Sequence, residues 1–326
     1  MNKLLAALAT PFFVWFAAWT VAVAMQNKAD RAPWPEHLGA LVDTPRHFPD
    51  VVQSASATEL TTMTAPLGVS ITPRNVNPHI SPEPFDAIKQ SLRAYVDDPG
   101  MVMPAGLSAY LAAHAEQLDR IRDHLLSAGP IRWPVRFRLG EDAPVPNLLG
   151  HMSLTRLFIA RAVSRSSWDE LHAAWLLDRP LWDRPELISA AIGIATTRMI
   201  NKAAAKLPPP APAWFGELRS LDYQHRLAGS YQAEAWTHER VIDHLMKEHR
   251  IVRAIITPWL DMCAADSVER MRVRTTELVS GTNPALAHEP VVVARWNTIG
   301  RASVSGIFFV WERLQLLLGE LKNDVK

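Results

Sequence analysis

Residues 234 to 249, EAWTHERVIDHLMKEH, hold three histidines, three glutamates and an aspartate, and of all stretches in this chain they most resemble a chemical site. Side chains of these types bind metals or move protons. Zinc hydrolases of the HExxH kind place their histidines four apart, because positions i and i+4 share one helix face. Here His238 and His244 are six apart and point to different sides of a helix. His249 returns to the side of His238, but about 16 Å along the axis. A continuous helix therefore brings no two of the three onto one ion.

Two pairs spaced i, i+4 remain, Glu234 with His238 and His244 with Glu248. The apolar stripe of this helix, Leu227, Tyr231, Val241 and Leu245, takes in Glu234 and His238, whereas Glu239 and Asp243 fall nearly opposite. A carboxylate facing a core needs a partner. One reading of Glu234 and His238 is a buried polar contact that fixes helix register. The other is a polar pocket, with Glu234 as a general base of raised pKa or both residues as metal ligands completed from another helix by His114 or His151. His114 itself lies on the stripe Leu107, Leu111, Leu118, Ile121 and Leu125 of an earlier helix, where a lone histidine reads as hydrogen-bonded structure.

No other motif carries chemistry. The sequence has no Walker A loop, no GxGxxG after a strand, no GxSxG elbow, no EF-hand loop and no sustained heptads, and it indicates no cofactor. Asp178, Arg179-Pro180, Asp183 and Arg184-Pro185 read as helix boundaries. Lys and Arg number 34 against 33 Asp and Glu, so no long-range field recruits nucleic acid. The single cysteine, Cys263, excludes an intrachain disulfide, a CxxC redox pair and a thiolate-rich zinc site.

Residues 4 to 25, LLAALATPFFVWFAAWTVAVAM, are free of charge, and a helix of that length reaches across a hydrocarbon core of about 30 Å. Lys3 with the α-amine and Ala22-Val23-Ala24 also match a signal peptide cleaved after Ala24, which would leave a secreted body. The length and the aromatic residues Phe12, Phe13, Trp15, Phe16 and Trp19 favour an anchor that stays. The leading positive charge then places the body on the extracytoplasmic side, periplasmic or extracellular.

The elements behind this segment follow from punctuation and periodicity. Prolines recur from 33 to 84 and leave room for one short helix between Asp50 and Thr64. Phe85, Ile88, Leu92 and Tyr95 mark a helix, and a longer one follows from Pro104 to Gly129. Val135, Phe137 and Leu139 alternate with Arg136 and Arg138, which allows a short strand or an irregular arm. Helical patterns then fill 148 to 165, 167 to 182, 185 to 206, 213 to 250, 251 to 280 and 289 to 323. Within these, residues 148 to 182 turn at Ser164 to Ser167 and carry the small pair Ala173-Ala174. They loosely resemble one tetratricopeptide-like helical hairpin, although no period of about 34 residues recurs.

The expected fold is mainly α: a multi-helix bundle or irregular helical-hairpin array behind an N-terminal membrane segment (1–30) and a Pro-rich extended spacer (31–84). The helical domain covers 85–326, with a possible division into 85–206 and 213–326 at the proline run KLPPPAPA. The expected function is a membrane-anchored extracytoplasmic protein that binds or organises a protein partner. The alternative is a metal-assisted hydrolase using Glu234 and His238.

Overall fold

A computed structural model describes residues 2–35, 38–72, 83–98, 100–245, 250–280, 293–295, 297 and 308–323. In chain order its helices are α1 (Asn2–Arg31), α2 (Thr44–His47), α3 (Ala55–Thr64), α4 (Glu83–Asp86), α5 (Lys89–Asp97), α6 (Ala105–Ala113) and α7 (Ala115–Ser127). After the arm at 130–135 come α8 (Leu148–Arg165), α9 (Trp168–Asp178), α10 (Leu187–Ala204), α11 (Ala213–Ser220), α12 (Tyr223–Leu245), α13 (Arg250–Ser280) and α14 (Phe308–Asn323). The protein is a mainly helical, multi-helix fold, and the described residues contain no strand beyond isolated bridges.

Local chemistry sets the boundaries. Ser54 caps α3 by accepting from the Ala57 N–H at 3.1 Å, Asn147 caps α8 through the Gly150 N–H, and Ser167 caps α9 through the Glu170 N–H. Ser166, at φ 50°, turns α8 back into α9, and Ala173 and Ala174, fully buried, let the two helices approach. This is the hairpin whose turn and small residues are visible in the sequence. The helix expected from Pro104 to Gly129 breaks in two at His114, whose ring stacks on Tyr110 at 4.2 Å while its Nδ1 lies 3.0 Å from the Tyr110 carbonyl. Of the alternation at 135–139 only the Val51–Val135 bridge remains, and the chain then winds into a 3-10 helix at Phe137–Asp142.

The core is continuous from Ala29 to Leu321, with Trp175, Phe158, Leu118 and Tyr223 among its buried side chains. Arg161 and Glu170, both 1% exposed, pair at 2.8 Å, and Arg122 and Asp119 join them, so one ionic cluster ties α7, α8 and α9 together. The proline run at 206–213 lies along α9, where the Trp168 indole N–H donates to the Pro208 carbonyl and its ring meets Trp214.

Two expectations change here. The stretch 31–84 was expected to be an extended spacer, yet its described residues are packed into the core: Leu41, Leu60, Leu67 and Ile71 are fully buried. Pro45 and Pro66 fall in the first turns of short helices, where a missing N–H costs nothing, and leave apolar residues free to pack. The second concerns the membrane segment. Among the described residues no helix is long and apolar enough to cross a membrane. From Gln26 onward α1 is polar.

α1 packs along α13 and touches α12 through Gln26 and Glu239. Lys28 pairs with Glu269 at 3.8 Å and, further along both chains, the Pro33 carbonyl accepts from Arg272 at 3.0 Å, so α1 and α13 run parallel. Only a narrow stripe of α1, with Ala22 and Ala29 at its centre, is covered. Phe13, Val14, Phe16 and Trp19 are 42 to 67% exposed. Every exposed aromatic side chain among the described residues, Phe13, Trp15, Phe16, Trp19 and Trp259, belongs to α1 or α13.

Candidate binding cleft

Pro185 fixes the geometry from which a polar interior region is built. The residue before a proline is extended, and Arg184 accordingly sits at φ −96° and ψ 149°, between the 3-10 helix Arg179–Asp183 and α10. Its side chain is 2% exposed and grips Glu186 with two charge-assisted bonds, Nε to Oε2 at 2.9 Å and Nη2 to Oε1 at 2.7 Å. The same guanidinium donates to the carbonyls of Pro134 and Pro144, which fastens the 130–147 arm to α10.

Around this pair the fold gathers two of the residues singled out from the sequence. His151 on α8 is 1% exposed, with the Trp133 ring edge-on at 4.9 Å, and burial together with the Arg184 charge pushes its pKa down to about 3. It is a neutral imidazole. Glu234 on α12 faces the other partner: burial and the neighbouring Glu186 carboxylate both raise its pKa. His238 lies one turn on, and burial lowers its pKa. No hydrogen bond or ion pair joins Glu234 to His238, and His238 Nε2 is buried without a partner. His114 is engaged elsewhere, with Tyr110. The side chain of His244 and residues 246–249, including Glu248 and His249, lie outside the described part. Among the described residues no group of three or more His, Cys, Asp and Glu side chains is placed to hold a metal ion.

Arg184 also forms the inner wall of two neighbouring clefts. The larger, about 490 Å³, opens between the arm and the 3-10 helix. Val51, Ile131, Trp133, Val135 and Pro180 give it apolar sides, and Arg132, Arg179, Asp183 and Glu217 its polar ones. The smaller, about 230 Å³, lies beyond Asp183 between His47, Phe48, His225 and Arg226. Asp183 stands between them and takes both Arg179, at 2.7 Å, and Arg226. Glu234 lines neither cleft.

Arg184, Trp133 and Arg179 are the residues that reading the sequence overlooks. In the sequence Arg184 is one more charge beside a proline, and nothing local says that it will be buried. The only signal is the pair Arg184 and Glu186 flanking Pro185. Compared with known proteins, the chain matches no family model, no curated protein and no solved structure.

Proposed function

We propose that this protein is held at a membrane by α1, with its helical body on the extracytoplasmic side, and that the body works by binding a partner. The observation that carries this reading is the confinement of exposed aromatic side chains to α1 and the adjoining α13. Large apolar side chains left in water around most of a helix call for an apolar environment. Trp15, Trp19 and Trp259 are of the type that settles at a bilayer surface, ring in the acyl boundary and N–H among headgroups. The extracytoplasmic placement rests on the leading charge-free segment, residues 4 to 25, of the kind that directs a chain into or across a membrane.

Flotation of the full chain with phosphatidylcholine–phosphatidylglycerol vesicles tests the attachment. The wild-type chain should float. A variant with Phe13, Trp15, Phe16 and Trp19 all changed to serine should lose at least about tenfold in vesicle-bound fraction, since each buried aromatic contributes roughly 2 kcal/mol. Its circular dichroism should be unchanged, because these side chains are exposed. A wild-type chain that stays with the unbound protein, or a variant that floats equally well, would overturn the reading.

A further inference from the structure

The 490 Å³ cleft has an imbalance of hydrogen-bonding groups that identifies what it would take. Its acceptors are engaged: Asp183 receives Arg179 and Arg226, and Glu217, exposed at the mouth, lies 3.6 Å from Arg179 Nε. Its deepest cation is engaged too, since Arg184 is matched by Glu186 and two backbone carbonyls. Two donors are not. The indole N–H of Trp133, a residue 2% exposed, has no acceptor. Arg132 holds its place through its backbone, which exchanges bonds with Ser54, while its exposed guanidinium has no ion-pair partner among the described residues. The remaining lining is apolar, from Val51, Ile131, Val135 and Pro180.

We infer that this cleft is a binding site for a small organic monoanion, a carboxylate carried on an apolar body. The carboxylate supplies the acceptors that the two donors lack, and one negative charge matches the single unpaired guanidinium. The apolar body replaces water against the Trp133 side of the cleft, whose volume falls within the range of ligand sites. A dianion would bring one charge more than the cleft can match, and a cation would meet Arg132 and Arg179. The inference rests on the reading of the body as a binding protein, but not on its attachment to a membrane.

The test uses three probes with one apolar body and different head groups: 4-phenylbutyrate, 4-phenylbutanol and 4-phenylbutylamine, titrated calorimetrically into the full chain. The butyrate should bind about tenfold more tightly than the alcohol, and the amine more weakly than either. Arg132→Gln, on an exposed side chain whose loss leaves the fold intact, should bring the butyrate down to the affinity of the alcohol and leave the alcohol unchanged. No binding of the butyrate, equal affinities for the three probes, or a butyrate affinity indifferent to Arg132→Gln would each overturn the inference. None of these results bears on vesicle flotation, which the Arg132→Gln chain should retain, so the two readings fail separately.

Discussion

At the scale of single residues, the polar groups that matter most are those held far from their ordinary ionisation. Asp178, at the end of α9, is completely buried. Thr196, Thr197 and the Trp182 indole donate to it, and burial nevertheless raises its pKa from the usual 3.8 to about 7. Between those two values the folded chain holds a proton that the unfolded chain releases. Stability is then complete below about pH 4 and falls as pH rises toward 7, by about 1.4 kcal/mol per pH unit at most. Asp178→Asn should flatten this slope without loss of fold, because the Thr196 hydroxyl can donate to the Ile192 carbonyl at 2.8 Å and accept from the new amide. Urea midpoints at pH 5 and pH 7.5 check it; equal pH dependence in both chains would rule Asp178 out as the source. From the sequence, Asp178 is only a charge near a helix end, because its burial depends on α10 and on Trp182, which are brought against it by the fold. Glu234 and His238 show the opposite case. Their placement on an inward face is legible from periodicity, but the pairing expected between them does not form, and the charge that bears on Glu234 is the Glu186 carboxylate.

At the scale of elements, α8 appears with the boundaries read from the sequence, because Asn147 caps it and Ser166 ends it. What the pattern does not reveal is how closely α8 meets the preceding stretch. A Cβ placed on Gly150 would lie 1.7 Å from the Ser70 carbonyl oxygen, so only glycine lets residues 69–71 cross the start of α8. Gly150→Ala should therefore lower the melting temperature by roughly 5 °C or more. Gly106→Ala on α6, where a Cβ meets nothing within 4 Å, should leave it unchanged or raise it slightly. A Gly150→Ala chain as stable as wild type would show that this crossing is not close. The same contact explains the correction to 31–84: proline spacing argues against long helices, but it is silent on whether Val69 and Ile71 find a surface to cover. The break at His114 was equally invisible, because Leu107, Leu111, Leu118 and Leu125 keep one stripe across both helices.

At the scale of the whole molecule, the all-helical architecture and the apolar leading helix are visible in composition and periodicity, whereas the depth to which that helix could enter a bilayer depends on its neighbour. With α1 and α13 parallel, Asp261, eight residues before Glu269, comes level with Thr20, eight residues before Lys28. By the same register Arg250 and Arg253 come level with Ala9 and Phe12, so charge accompanies the exposed stretch of α1, and the proposed attachment is a shallow one, with Phe13, Phe16 and Trp19 in the acyl boundary and Asn27 in water. Spin labels at Val14→Cys and Asn27→Cys, each in a chain whose buried Cys263 is replaced by alanine, test this most directly in the presence of vesicles. The label at 14 should be relaxed mainly by oxygen, which concentrates in acyl chains, and the label at 27 mainly by a water-soluble nickel chelate. Equal relaxation of both labels by the nickel chelate would contradict membrane attachment through α1.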